Sequence, residues 1–318
     1  MDLIYLIYWV RPHSLTHPIL HPRPHTRPLA PKCAPLISSG ITLFKASPKD
    51  PSSLRLAFQN ADIIFATILT LYDGHTYEHE LTHGKAIADA AVAMAVPFLI
   101  YSTLPSIREI SGGRLTRGGH FDAKKEVEMY IRGLPIRAAF VSPGSFMENF
   151  HAALAPRRVP APAPAPSIST PESGAEKNAE GDEVYALTCF IAPETKVPLI
   201  DVTDDFGKWV VAILSDFERF EDRVVCAATR MYSMREIVEI MSKVSGKRVV
   251  YKQLGKEVWG GFLPQERREF MLDMMQCFQD YGYFGERTEE KVRVGRAEAK
   301  GEVTELEGFL RRYPLVLG

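Results

Sequence analysis

The chain has 318 residues, 46% of them hydrophobic and 24% charged, which is enough apolar sequence for one large α/β domain or two smaller ones. Its 38 basic residues nearly balance its 39 acidic ones, so the net charge favours neither nucleic acid nor an anionic membrane as a partner. The four cysteines are far apart and form no C-x-x-C pair, which argues against a zinc ribbon or a disulfide scaffold and favours the reducing cytoplasm or nucleus.

Residues 1–26 have an unusual sequence for a folded domain. The apolar run "LIYLIYWV" (residues 3–10) is far shorter than the ~20 residues of a membrane helix, and Asp2 rather than a basic region precedes it, so we expect neither a membrane span nor a signal peptide. The histidine- and proline-rich stretch that follows cannot form a continuous helix. Its regularly spaced histidines therefore do not predict a metal site.

From residue 39 onward, predicted strands alternate with predicted helices. "GITLFKAS" predicts a strand, and "KDPSSLRLAF" predicts a helix with Asp50 as N-cap and Pro51 at its first position. "ADIIFATIL" and "VPFLIYSTL" predict buried strands on either side of the amphipathic helix "ELTHGKAIADAAVAMA". The helix "FDAKKEVEMYIRG", ended by Gly133, precedes the strand "IRAAFVSPG". This alternation predicts an α/β fold with a parallel sheet.

The segment "HELTH" (residues 79–83) matches H-E-x-x-H, in which two histidines bind zinc and the glutamate acts as general base. Zinc sites of the extended type use a glycine to break the helix after this motif, but Ala86 stands there within an unbroken amphipathic pattern. Asp89 would lie further along the same helix, where it cannot easily complete a tetrahedral site with His79 and His83. We therefore expect no metal.

The C-terminal half contains a proline- and alanine-rich segment, residues 154–183, which predicts an exposed, flexible insertion. Beyond it, Ser233 and Glu236 predict a capping box at the start of one helix, and Thr304 and Glu307 predict another.

Methionine and aromatic side chains recur at helical spacing near the C-terminus. Core packing is the favoured interpretation, and lining of a substrate entrance is the alternative. The residues are Met271, Met274, Met275, Phe278 and Tyr281.

Several segments of the chain resemble the NmrA-like family, a branch of the atypical short-chain dehydrogenases. The most specific are "GITLFKASPKDPSSLRLAFQNADIIFAT", "HGKAIADAA", "GGHFDAKKEVEMYI", "VSPGSFMENF" and "ETKVPLIDVTDDFGKWVVAIL". The resemblance covers roughly residues 27–313 and implies a Rossmann-like, doubly wound parallel sheet (27–153) that binds NADP or NAD. Residues 184–318 would complete the domain and add a smaller α+β C-terminal lobe.

The resemblance also implies cofactor-binding residues. Arg27 is similar to the arginine that pairs with the 2′-phosphate and selects NADP, the alternative being an exposed loop arginine. Thr67 corresponds to the position under the ribose and nicotinamide, although the apolar Ile68 and Leu69 that follow depart from the family pattern. Lys85 matches a lysine that reaches toward the cofactor, the alternative being a solvated helix face.

The segment "FMEN" matches the loop at the back of the nicotinamide pocket. Its residues are Phe146, Met147, Glu148 and Asn149.

Catalysis in the wider superfamily uses Tyr-x-x-x-Lys, in which the lysine lowers the pKa of the tyrosine and the phenolate moves a proton. Here Lys124 is present, but His120 replaces the tyrosine, as in the NmrA-like branch. His120 could donate a proton near neutral pH, and Ser102 could polarise a carbonyl. Lys124 is also expected to contact the cofactor. Binding of the dinucleotide without turnover is favoured over catalysis.

The glycine-rich motif of the family, G-x-x-G-x-x-G, is absent, since the first glycine of the chain is Gly40. We expect a shortened or altered start in which "LIYLIYWV" replaces only the central strand, and consequently poor dinucleotide binding. The favoured function is an NADP-binding redox sensor or regulator, with a transcription factor or another regulatory protein as partner. The alternatives are an active NADPH-dependent reductase of a small carbonyl or quinone, and a nucleotide-independent interaction module.

Overall fold

The computed structural model describes residues 8–9, 44, 46–159 and 183–317. Arg27, Cys33, the histidine- and proline-rich stretch and most of the predicted insertion lie outside the described residues. Within the described part of the chain, no helix is long and apolar enough to cross a lipid bilayer.

Among the described residues, the main sheet has five strands. They are β1 (Tyr8–Trp9), β2 (Ile63–Ala66), β3 (Phe98–Ser102), β4 (Arg137–Pro143) and β9 (Val224–Ala227), in the spatial order β1-β2-β3-β4-β9. The strands β2, β3, β4 and β9 are parallel to one another. Of these, β2, β3 and β4 are buried along almost their whole length, as is usual for strands that are covered on both faces of a sheet. The predicted α/β fold with a parallel sheet is confirmed.

Helices cover both faces of this sheet. Those of the N-terminal part are α1 (Pro51–Phe58), α2 (Thr76–Ala93), the short α3 (Ile107–Ile110) and α4 (His120–Arg132), and two more, α5 (Phe206–Ser215) and α6 (Phe217–Phe220), come later. Apolar residues of α1, α2 and α4 form one core with the sheet, and those of α5 and α6 form another on the opposite face. Alternate residues of β2, β3 and β4 enter the two cores, which is the doubly wound arrangement.

The first strand runs in the unexpected direction. β1 pairs with β2 in antiparallel register, Tyr8 opposite Phe65 and Trp9 opposite Ile64. A strand that leads into a phosphate-binding helix runs parallel to its neighbours, so that the helix starts at the carboxyl edge of the sheet. The carboxyl end of β1 lies at the opposite edge, where the parallel strands begin.

The helix signals in the sequence are mostly confirmed. The Asp50 carboxylate accepts hydrogen bonds from the backbone N–H groups of Ser52 and Ser53 at the start of α1. Gly133 follows the last residue of α4. The Ser233 hydroxyl accepts from the N–H of Glu236 at the start of α7 (Met234–Ser245).

One local prediction is wrong, and a second falls largely outside the described residues. Thr304 does not cap α11 (Leu306–Arg312), for which Glu305 is the N-cap. The backbone N–H and carbonyl of Thr304 are bonded to Asp205 and Thr229. The strand expected over residues 40–47 lies largely outside the described residues. Its described part forms only an isolated bridge between Ser47 and Asp50.

In the residues that the structure describes, the C-terminal lobe contains two three-stranded sheets. One joins β10 (Arg230–Ser233), β8 (Lys196–Ile200) and β5 (Ser145–Phe146), and the other joins β11 (Arg248–Gln253), β7 (Val184–Cys189) and β6 (Arg157–Val159). Besides α7 and α11, its helices are α8 (Lys256–Gly261), α9 (Gln265–Asp280) and α10 (Thr288–Glu298). The smaller α+β lobe expected from the sequence is therefore present.

Two further expectations concern this lobe. The first part of the segment predicted as a flexible insertion, residues 154–183, is instead ordered, because residues 157–159 form β6 and pair with β7. Of the methionine and aromatic stripe on α9, Met275 and Phe278 are buried in the core of the lobe, which confirms core packing for them.

Candidate functional site

The carboxyl ends of the parallel strands define the site. The register places Ala66 of β2 beside Tyr101 of β3, and Ser102 beside Val141 of β4, so these strands end at a common edge. In doubly wound folds, ligands bind outside this edge, where loops from neighbouring strands meet. The sequence-predicted Thr67 and Ser102 lie here, at the ends of β2 and β3.

Lys124, the predicted catalytic lysine on α4, is held in a buried ion pair. Its Nζ lies 2.8 Å from Oε2 of Glu80 on α2, and the side chains of Lys124 and Glu80 are 7% and 1% exposed. Thr70 donates its hydroxyl hydrogen to Oε1 of Glu80 over 2.6 Å, and the lysine also donates to the carbonyl of Ile68 over 3.4 Å. The sequence reasoning missed Glu80 and Thr70 as members of this group.

His120, the residue in the place of the catalytic tyrosine, is 9% exposed, and its Nδ1 has no hydrogen-bond partner in the part of the chain that the structure describes. Its ring lies among aromatic side chains, with centroid distances of 4.8 Å to Phe270, 5.0 Å to Phe121 and 5.7 Å to Tyr72. Burial, and to a lesser extent the charge of Lys124, lowers the pKa of His120 to about 3. At neutral pH this imidazole is uncharged.

This low pKa makes stability depend on pH. In the unfolded chain His120 takes up a proton below about pH 6.5, whereas the folded chain does not until about pH 3, so acidification through this window favours unfolding. We expect His120 to cost about 2 kcal/mol of unfolding free energy between pH 7 and pH 5. Urea unfolding at pH 7 and pH 5 measures this loss of unfolding free energy. In His120→Phe, the part of the loss that is due to His120 is expected to disappear. An identical loss in both proteins would contradict the assigned pKa.

Lys85 lies apart from the Glu80–Lys124 pair. Its Nζ is 3.3 Å from Oε1 of Glu126 and 5.2 Å from the ring centroid of Tyr130, both on α4. Thr67 is exposed next to the buried Ile68. Of these two predicted cofactor residues, Thr67 is therefore free to approach a ligand, whereas Lys85 is engaged at the surface between α2 and α4.

The four residues of the "FMEN" segment differ in their surroundings. Phe146 is exposed, and Met147 is fully buried in the core of the lobe. The Glu148 carboxylate accepts hydrogen bonds from the backbone N–H groups of Val202 and Thr203, and so fixes the loop after β8. Asn149 is half-buried. Phe146 is the member of the segment most open to a ligand.

The "HELTH" motif lies on the uninterrupted helix α2, as its amphipathic pattern predicted. Its glutamate is Glu80, which is bound to Lys124. His79 Nε2 lies 3.1 Å from Asp73, and the Asp89 carboxylate accepts a hydrogen bond from Tyr130. Among the described residues, no group of three or more His, Cys, Asp or Glu side chains could hold a metal ion. The absence of zinc stays a prediction.

A cleft of about 730 Å³ opens between the two lobes beside His120. Tyr72, Gly119 and Phe270 line it, and Tyr72 and Phe270 separate it from the His120 ring. Gly119 has a φ of +52°, and a Cβ there would lie 2.9 Å from Phe270, so glycine permits both the backbone turn and the close approach of α9.

The sheet order, the helices on both faces and the loops at the strand ends define a doubly wound α/β protein of the Rossmann type. The model of the NmrA-like family matches residues 26–310, and the chain belongs to this family. The resemblance inferred from the sequence segments is confirmed.

Known relatives agree with this membership. An NmrA-like family domain-containing oxidoreductase of Penicillium ochrochloron is 27% identical over 267 residues, which cover 80% of this chain and 74% of that protein. An NmrA-like family domain-containing protein of Dictyostelium discoideum is 24% identical over 259 residues, or 80% of this chain and 76% of that protein.

Solved structures share the fold. NmrA, a negative transcriptional regulator crystallised with NADP, has a TM-score of 0.65 at 20% identity and covers 86% of this chain and 81% of its own. The NADPH-dependent quinone oxidoreductase of Escherichia coli, complexed with NADPH, has a TM-score of 0.62 at 17% identity and covers 88% of this chain and 86% of its own.

Proposed function

We propose that this protein is a regulatory, redox-sensing member of the NmrA-like family that binds NADP(H) weakly and does not turn it over, in the cytoplasm or nucleus. Solved structures of the same fold hold NAD, NADP or NADPH, and one of them is a negative transcriptional regulator. These precedents support a dinucleotide as ligand and a regulatory protein such as a transcription factor as partner.

The observation that carries the proposal is the buried Glu80–Lys124 pair. A lysine that assists proton transfer must reach the cofactor or the proton donor, but this ammonium group is bound to a carboxylate and shielded from the cleft. The neighbouring His120 is neutral at pH 7, so it carries no imidazolium proton to give to a substrate. Neither residue is therefore placed to assist proton transfer during the reduction of a substrate.

The composition of residues 1–39 supports weak binding by the 318-residue chain. No glycine precedes Gly40, so the sequence offers no G-x-x-G-x-x-G turn ahead of Arg27. The strand β1 is antiparallel to β2, so it runs away from the edge where Thr67 and Ser102 lie. Backbone N–H groups at a helix N-terminus supply much of the pyrophosphate affinity of a Rossmann site.

The test of this proposal is an NADPH oxidation assay with a panel of small carbonyl compounds and quinones. We expect no turnover above the rate of buffer alone. The alternative, an active reductase, is favoured by relatives named as oxidoreductases and by the cleft beside His120. Turnover that is lost in Lys124→Ala would establish that alternative and exclude a purely regulatory role.

Cofactor choice is the next prediction. If Arg27 pairs with the 2′-phosphate, NADP is expected to bind more tightly than NAD by about 1.5 to 3 kcal/mol, the range for a hydrogen bond to a charged group. Titration of the parent chain and of Arg27→Ala with both dinucleotides measures this difference. Equal affinities in the parent chain, or an unchanged preference in the variant, would remove Arg27 from the site.

A further inference from the structure

The Glu80–Lys124 pair joins elements that are remote in the sequence. Glu80 lies on α2 and Lys124 on α4, 44 positions later. Thr70 and Ile68, the two other groups bonded to the pair, belong to the segment that follows β2. This segment begins at Thr67, which is exposed at the carboxyl edge of the sheet. The pair therefore fixes the loop nearest the expected dinucleotide.

A second buried glutamate provides an internal comparison. Glu128 of α4 is paired with Lys125 and Arg132 of its own helix, at 2.8 and 3.0 Å, and both partners are partly exposed. Glu80 has one cation partner among the described residues, Lys124, and neither member of this pair is open to water. The charge of Glu128 is thus neutralised by cations of its own helix, with no need for the lysine predicted at the site. The charge of Glu80 is neutralised by that lysine, Lys124.

The hydroxyl of Tyr101 on β3 is affected by the charge of Glu80. It is buried and has no hydrogen-bond partner among the described residues. Burial, followed by the charges of Glu80 and Glu128, raises the pKa of Tyr101 well above its usual range, so the hydroxyl keeps its proton and can donate it. Thr70 already donates to the other carboxylate oxygen. Glu80 thus keeps the hydrogen bond from Thr70 when Lys124 leaves it.

We propose that Glu80 is a positioning residue that withdraws Lys124 from the dinucleotide, so that a carboxylate within the protein and the oxygen acceptors of NADP(H) compete for one ammonium group. This inference rests on the proposed function, because it requires a dinucleotide at the carboxyl edge of the sheet. Apparent affinity falls in proportion to the population of the state that can bind. The buried pair keeps that population small, since opening it leaves two charges without their partner.

The experiment compares NADPH affinity in the full chain and in Glu80→Gln, which keeps the shape of the side chain but removes its charge. We expect calorimetry to show about tenfold tighter NADPH binding in Glu80→Gln, the change that a free-energy difference of about 1.4 kcal/mol produces. We also expect a lower Tm of the free protein, because Lys124 then lacks its buried counterion. A merely structural glutamate would lower Tm without improving affinity.

Two further variants make the test specific. In Glu80→Gln/Lys124→Met the gain in affinity should vanish, because the released ammonium group is no longer there. The control is Glu289→Gln, which removes the carboxylate of an exposed ion pair whose Nζ–Oε1 distance to Lys196 is also 2.8 Å. It should leave NADPH affinity unchanged.

The outcomes separate the two proposals. Measurable but equal binding by the parent chain and Glu80→Gln, or weaker binding by the variant, would overturn the role of Glu80 alone. A gain that persists without Lys124 would also overturn it. No binding of NADPH by any of these proteins at millimolar concentration would overturn the proposed function, and this inference with it.

Discussion

Calorimetric titration of the 318-residue chain with NADPH is expected to give a dissociation constant in the millimolar range. In an intact Rossmann site, glycines and helix N-terminal amides hold the pyrophosphate, and each charge-assisted hydrogen bond contributes roughly 1.5 to 3 kcal/mol. The loss of several such bonds moves a micromolar site into the millimolar range. The cationic side chains predicted at the cofactor do not replace these bonds, because Lys85 and Lys124 are already held in ion pairs with Glu126 and Glu80.

A tight complex would contradict this expectation. A dissociation constant of about 10 µM or less, an affinity of ~7 kcal/mol, would mean that residues 1–26 rebuild a phosphate site without the glycine motif. Deletion of these residues is the control for that outcome. If the deletion leaves a tight complex unchanged, the pyrophosphate must be bound by residues of the described region.

Loss of the Lys124 charge is expected to destabilise the fold strongly. Lys124→Met keeps most of the side-chain volume but leaves the carboxylate of Glu80 buried without its cation, and breaking a buried ion pair in this way costs about 3 to 5 kcal/mol. Urea unfolding at pH 7 measures the change. Replacement of both residues, in Glu80→Gln/Lys124→Met, should recover much of the loss because no buried charge then remains.

Lys243→Met is the matched control for this prediction. Lys243 forms an ion pair with Glu307 at the same 2.8 Å distance, but its side chain is 62% exposed. Because water screens exposed pairs, we expect its loss to cost no more than about 1 kcal/mol. Equal destabilisation by the two substitutions would show that burial of the Glu80–Lys124 pair has no energetic consequence.

The sequence by itself determined the class of fold and most of its elements. Continuous apolar runs such as Ile63–Ala66 and Phe98–Ser102 indicated strands buried on both faces, and the amphipathic patterns between them indicated helices. Capping side chains such as Asp50 and Ser233 were readable because a cap depends on a few neighbouring residues. The resemblance to the family could likewise be drawn from short segments in a fixed order.

Tertiary structure alone decided the chemistry of the site. The spacing of His120 and Lys124 suggested a proton-transfer pair, but the environment that sets the protonation of His120 comes from Phe270, far along the chain. Glu80 drew attention only as part of an apparent zinc motif, and nothing local shows that it binds Lys124. The antiparallel direction of β1 is equally invisible, since a short apolar strand has the same pattern in either orientation. Periodicity and caps are local properties, whereas burial, pairing and strand direction depend on which distant elements pack together.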